Sequence, residues 1–298
     1  MRSANDTAID YTIDLADGRR LAVMEVGDRD GPPVIHCHGH ASSRLEILLY
    51  EGAARRQGVR LICFDRPGIG RSDPRPDANI LTWPEDVAEA TSLLNLGRFP
   101  VQGMSGGGIY ALACAYRLPD RLTACGLIST LATNDQIKEA GPLWMRRIWW
   151  IGEHLPWLFW PHLRFKSWLR GTSVKGFEKQ VNQYARALGE ADREVFAQPG
   201  FRTGLGLALT ESCRQGREAN LAEAFDDFGD WGFELADVTL ENIRVWHGDA
   251  DLLMPASTVR LLVRDLPHCH ATFYPGDGHF SIPMRHMDEI LATLKAAR

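Results

Sequence analysis

The chain has 298 residues, about twice the usual single-domain length, with 45% hydrophobic and 24% charged residues. It therefore has ample material for a core and falls outside the disordered, collagen-like and low-complexity classes. Its 33 basic and 38 acidic residues leave a net charge of -5, the wrong sign for wrapping a polyanion, and Lys and Arg form no block, so a nucleic-acid partner is not expected.

The opening stretch, Met1 to Gly18, is polar and acidic rather than basic and then apolar, which is not the pattern of a secretory leader. Nor does the chain contain the uninterrupted apolar run of about 18 residues that a membrane-spanning helix requires. A cytoplasmic location is the expectation. Six cysteines, Cys37, Cys63, Cys114, Cys125, Cys213 and Cys269, are scattered without a CxxC pair, as expected for reduced thiols rather than a disulfide framework or a zinc site.

In chain order, two alternating runs, Tyr11 to Leu15 and Arg20 to Val26, flank an Asp17-Gly18 pair and predict a hairpin. Short apolar runs follow at Val34 to Cys37, Leu61 to Phe64, Val101 to Gly103 and Ala124 to Ile128. Between them lie segments of helical period, Arg44 to Arg56, Trp83 to Leu96 and Gly107 to Arg117. Strands without polar alternation, interleaved with helices, indicate an α/β fold with a mostly parallel sheet covered on both faces. From about Leu131 to Val238 no strand is predicted, and the sequence turns helical and aromatic. The alternation resumes with a strand at Ile243 to Trp246, a helix around Ser257 to Arg264, a strand at Ala271 to Tyr274 and a closing helix from Ile282 to Ala297. The expected division is a core of residues 1–130 and 239–298 interrupted by a helical cap, residues 131–238.

Six of the nine tryptophans, Trp144, Trp149, Trp150, Trp157, Trp160 and Trp168, fall in the first part of that cap. They could pack the cap onto itself and the core, line an apolar pocket above the sheet, or, with interleaved Arg146, Arg147, Arg164, Lys166 and Arg170, rest on a membrane surface. Trp144, Trp149, Trp157 and Trp160 are the candidate substrate-binding residues among them.

The segment Gly103-Met104-Ser105-Gly106-Gly107-Gly108 lies between a predicted strand and a predicted helix. In that context a GxSxG sequence holds its serine in a strained turn with the hydroxyl projecting above the sheet, at the amino end of a helix that favours negative charge. A serine hydroxyl needs a base and an acid to orient that base. His279, in the turn after the last strand, supplies the base. Asp251, with Asp249 two residues earlier as its rival, supplies the acid. The order Ser105, Asp251, His279 is that of serine hydrolases with such a sheet, whose loops converge at the carboxyl ends of parallel strands. Two backbone donors for an oxyanion are expected from Gly106 and from His40 in the turn after an earlier strand. His36, His38 and His40 alternate as strand-borne metal ligands could, but the stretch runs into a glycine turn with no further ligand motif nearby, so no metal is expected.

Together these residues resemble the α/β-hydrolase fold superfamily. The match comprises His38-Gly39, the run Asp65-Arg66-Pro67-Gly68-Ile69-Gly70-Arg71-Ser72, the elbow at Ser105, the run Gly248-Asp249-Ala250-Asp251-Leu252-Leu253-Met254-Pro255, and Gly278-His279. The resemblance covers roughly residues 20–130 and 240–298. It implies an eight-stranded sheet flanked by helices, with an inserted all-helical cap between, and it favours Asp251 over Asp249 as the acid. It departs at Ala41, where many relatives have proline, which implies a less rigid oxyanion loop; the side chain of His40 is then a candidate substrate contact.

Serine at the elbow, where dehalogenases and epoxide hydrolases of this type use aspartate, implies acyl transfer to water. The cap offers Tyr184 as its one phenolic donor. The expected activity is hydrolysis of an ester or lactone of a small, moderately hydrophobic substrate without a cofactor. The alternatives are a C–C bond (β-ketone) or amide hydrolase, and a non-catalytic small-molecule receptor of the same fold. The oligomeric state is not legible.

Overall fold

The computed structural model describes residues 8–155, 157, 159, 161 and 188–297. One eight-stranded sheet organises them, in the order β1-β2-β4-β3-β5-β6-β7-β8. The strands are β1 (Ile9–Asp14), β2 (Arg20–Gly27), β3 (Pro33–Cys37), β4 (Arg60–Phe64), β5 (Phe99–Met104), β6 (Leu122–Ile128), β7 (Ile243–Gly248) and β8 (Cys269–Tyr274). β2 runs antiparallel to both β1 and β4, and every other pairing is parallel. The predicted hairpin is present, with Gly18 at its tip at φ +86°.

Burial explains why the inner strands lack alternation. β3, β4, β5 and β7 are buried along nearly their whole length, whereas the edge strands β1 and β8 alternate. Both faces of the inner strands are covered, as parallel sheets require. On one face lie α1 (Glu51–Gln57) and α10 (Ser281–Ala296), whose Ala54, Ile290, Leu291 and Leu294 meet Val34, Leu61 and Ala124. The other face carries α2 (Trp83–Leu93), α3 (Gly107–Arg117) and α9 (Ala256–Asp265), packed through Val87, Leu112 and Val259 on Ile35, Val101 and Leu127.

Two elements depart from expectation for local reasons. β5 begins at Phe99, although Pro100 lies inside a central strand. The register with β6 shifts there, from Phe99 opposite Leu122 to Val101 opposite Cys125, and such an irregularity accommodates a residue with no N–H to donate. The helix predicted over Arg44 to Arg56 starts as a 3-10 turn, Arg44–Tyr50, and becomes α-helical at Glu51. Its first residue is fixed from outside: the Arg44 N–H and guanidinium both donate to the buried Asp65 carboxylate, at 2.6 and 2.5 Å.

Between β6 and β7 the described residues contain helices and no strand: α4 (Asn134–Ala140), α5 (Leu143–His154), α6 (Glu190–Ala197), α7 (Pro199–Ser212) and α8 (Glu218–Phe228). We call this segment the insert. Among the described residues no helix is long and apolar enough to cross a membrane.

Candidate active site

Ser105 occupies the two-residue turn between β5 and α3, at φ +54°. This left-handed conformation costs a non-glycine residue about 1–3 kcal/mol and persists only where the surroundings impose it. Its N–H donates to the Ile128 carbonyl at 2.9 Å and its carbonyl accepts from the Gly108 N–H at 2.9 Å, so the turn is held from both sides. The flanking glycines answer to close approach. A Cβ on Gly107 would lie 2.1 Å from the Cys37 carbonyl oxygen, and one on Gly103 would lie 2.1 Å from that of Gly107. Gly106 precedes the first turn of α3, where backbone N–H groups have no intrahelical acceptor.

Asp251 and His279 follow β7 and β8, and the fold brings them together. His279 Nδ1 lies 2.8 Å from Asp251 Oδ2, and both side chains are buried. The other Asp251 oxygen accepts the N–H groups of Leu253 and Met254 at 2.8 and 2.9 Å. Burial alone would disfavour the Asp251 carboxylate, but the adjacent His279 and these donors outweigh it and hold the carboxyl below its usual range. Burial likewise disfavours the imidazolium of His279. Attraction to Asp251, with smaller contributions from Asp192 and Glu46, outweighs that and raises its pKa above 6.5. A second histidine, His247, has Nε2 3.6 Å from Asp251 Oδ2 and 2.9 Å from the Met254 carbonyl oxygen; burial lowers its pKa and favours the neutral ring. The rival carboxylate, Asp249, instead accepts the Gly276 N–H at 2.7 Å on the exposed side of the turn.

The end of β6 ties serine to histidine through the backbone. Ile128 accepts the Ser105 N–H, and the next residue, Ser129, donates its hydroxyl to the His279 carbonyl at 2.8 Å.

The loop after β3, carrying His38, Gly39 and His40, is pinned by charged groups. Gly39 donates its N–H to Glu46 Oε2 at 3.0 Å, while Glu46 Oε1 lies 2.8 Å from His36 Nε2; His36 Nδ1 is 3.1 Å from Gln102 Nε2. The Arg66 guanidinium donates to the carbonyls of His38, at 2.7 Å, and Gly39, at 3.2 Å. His38 is neutral, its pKa pushed well down by burial and by Arg66; its Nδ1 lies 3.0 Å from the Gly39 oxygen, and the Arg66 N–H points at its Nε2. His36 and His38 thus serve the loop's own hydrogen bonds. Ala41 adopts φ +55°, which proline, locked near -65°, cannot reach, so proline is incompatible with this loop as built.

The α/β-hydrolase fold model matches residues 32–283, most of the chain. The chain belongs to the α/β-hydrolase fold family. It is 32% identical over 126 residues to a non-heme chloroperoxidase of Streptomyces lividans, covering 40% of this chain and 44% of that protein. It is 25% identical over 280 residues to a probable proline iminopeptidase of Leptolyngbya boryana, covering 85% of this chain and 83% of that protein. Among solved structures, a thermophilic esterase of Thermogutta terrifontis superposes with a TM-score of 0.63 at 21% identity, over 97% of each chain, a likeness of fold.

In this α/β-hydrolase fold protein the insert reaches the site by residues that sequence reading missed. Glu223 of α8 forms a two-pronged pair with the buried Arg66, at 2.6 and 3.0 Å, and so backs the loop that Arg66 holds. Glu211 of α7 bonds Arg44 at 2.8 Å, and Ser212 donates its hydroxyl to the Ala41 carbonyl at 2.8 Å. Asp192 of α6 accepts the N–H groups of His279, Phe280 and Ser281. Of the tryptophans expected to bind substrate, Trp144 is 50% and Trp157 73% exposed, while Trp149 is buried in the core with its indole N–H given to Asn134. Trp160 lies outside the described residues, as do Trp168, Tyr184, Arg164, Lys166 and Arg170. Among the described residues, the phenylalanines Phe280, Phe196 and Phe201 cluster at the His279 loop. Phe280 packs edge-on to the imidazole, and Phe196 and Phe201 of the insert pack edge-on to Phe280.

Proposed function

We propose that the protein is a serine hydrolase acting on an ester or lactone of a small, moderately hydrophobic substrate through an acyl-enzyme. The observation that carries this reading is the 2.8 Å contact of His279 Nδ1 with Asp251, which leaves Nε2 as the proton acceptor, together with a left-handed Ser105 tied by β6 to the same loop. In the reaction, His279 takes the Ser105 proton as Oγ attacks the carbonyl carbon, and the amides of Gly106 and His40 receive the developing oxyanion. His279 then protonates the leaving alkoxide, and later activates the water that releases the acid. Each oxyanion donor contributes about 3–4 kcal/mol to such a step. The chemistry requires no metal or organic cofactor.

The insert, acting as a cap, supplies the substrate's surroundings in this proposal. Phe196 and Phe201 place apolar surface next to the His279 loop, which favours an uncharged group there. A cationic substrate, such as a peptide with a free amino terminus, calls for an uncommitted carboxylate. Among the described residues, Asp192, Glu211 and Glu223, the insert's buried or nearly buried acids at this face, are engaged by backbone N–H groups or by arginines. That favours esters and lactones over amino-terminal amides.

A fluorophosphonate probe tests the proposal directly: it should label Ser105 in the folded protein and leave Ser105→Ala unlabelled, with parallel turnover of short p-nitrophenyl esters. Folded protein that binds small apolar ligands but takes no label and turns over no ester would make it a receptor instead.

A further inference from the structure

Asp192 lies in the first turn of α6, far from the catalytic motifs in sequence, yet it is 1% exposed and spends both carboxylate oxygens on the loop that carries His279. Oδ2 accepts the His279 N–H at 2.9 Å, and Oδ1 accepts those of Phe280 and Ser281 at 2.9 and 2.8 Å. These are the amides entering α10, which have no intrahelical acceptors and carry the positive end of the helix dipole, so a carboxylate is the group they bind best. The carbonyl of His279 is held at the same time by Ser129 of the core.

A second observation bears on this contact independently. A Cβ built on Gly278 would lie 2.4 Å from Asp192 Oδ2, 2.6 Å from its Cγ and 2.7 Å from Oδ1. Gly278 has no left-handed φ to explain it. The residue before the histidine is therefore side-chain-free because the insert's carboxylate fills that space.

We propose that Asp192 is a positioning residue for His279, so that the insert is a fixed part of the catalytic apparatus and holds the base in place. The proposal rests on the reading of His279 as the general base and deepens it. Among the described residues, the titratable groups that face His279 are Asp251 at Nδ1, His247 behind that carboxylate, Asp192 from the insert and Glu46 from the 3-10 turn Arg44–Tyr50. Asp192 thus orients the loop and adds negative charge where an imidazolium forms.

The test compares the wild-type chain with Asp192→Asn, Asp192→Ala, Gly278→Ala and the Asp192→Ala/Gly278→Ala double variant. Three quantities are read: kcat/KM against pH for a short p-nitrophenyl ester, the rate of fluorophosphonate labelling, and amide exchange at residues 279–281. We expect both Asp192 variants to lose about 10²-fold in kcat with KM little changed, the scale at which displaced catalytic groups fail. Exchange at 279–281 should accelerate, and the acid limb of the pH profile should move to lower pH because the imidazolium has lost a neighbouring anion. Gly278→Ala should reproduce the loss alone yet add nothing to Asp192→Ala, since the clash it creates is then relieved. Asp192→Asn keeps the shape and one acceptor, and it carries the test should the alanine variant fail to fold. A wild type that takes neither ester nor label overturns the hydrolase reading and this proposal together. A reactive wild type matched by Asp192→Asn in rate, pH profile and exchange overturns the positioning role alone.

Discussion

The core loops and the insert meet around His279, and they are built on different principles. In the core, two of the candidate residues sit in local turns: Ser105 in the turn from β5 into α3, and Asp251 in a turn where it accepts the N–H groups of Leu253 and Met254. In the insert, the residues that matter act across long sequence separations, as Glu223 does on Arg66, Glu211 on Arg44 and Asp192 on the amides after Gly278. Local placement makes a motif; distant pairing does not. The core therefore reads as chemistry from a short string of residues, whereas the insert reads only as helical and apolar until its partners are seen.

If that contrast holds, the largest losses belong to the core. Ser105→Ala should lower kcat by about 10⁴-fold or more and abolish fluorophosphonate labelling, as removal of a nucleophile does in related constellations. Asp251→Asn should cost about 10⁴-fold through the wrong imidazole tautomer, while Asp249→Asn, which keeps an oxygen to accept the exposed Gly276 N–H, should stay within tenfold; steady-state kinetics on a single ester separates them.

The pairing across the insert predicts a different signature. Glu223→Gln leaves the buried Arg66 charge without its partner and should destabilise the fold by about 3–5 kcal/mol in urea titration, with activity lost through the loop that Arg66 holds. A Glu223→Gln protein as stable as wild type would mean the insert is dispensable to the core.

The pH profile reports on the contact of the two regions. His279 must be neutral to accept a proton, and its pKa is raised by Asp251, with Asp192 and Glu46 adding to it against the opposing effect of burial. The acid limb of kcat/KM should therefore lie above pH 6.5, with activity falling as pH decreases through the raised value and the limb moving down in Asp251→Asn. The smallest expected effect is that of Trp149→Phe. It removes one buried N–H bond to Asn134 and should cost about 1 kcal/mol of stability while leaving KM unchanged. A KM shift without a stability change would return Trp149 to the substrate pocket.

The pattern of the chain determined the parallel core, the hairpin at its edge and the candidate Ser105, Asp251 and His279, because strand burial, turn stereochemistry and close backbone approach leave marks within a few residues of one another. Tertiary structure alone decided which insert residues contact the loops of the candidate site. Tryptophan density signalled buried surface but not its direction, and Trp144 and Trp157 turned outward while Phe196 and Phe201 took the place beside Phe280. It also decided that Ala41 takes a conformation closed to proline, and that Gly278 is glycine on account of a carboxylate 86 positions earlier in the sequence, Asp192. The physical reason is the same in each case. Charge pairing and excluded volume act through space, and a single chain records only one side of such a contact at each position.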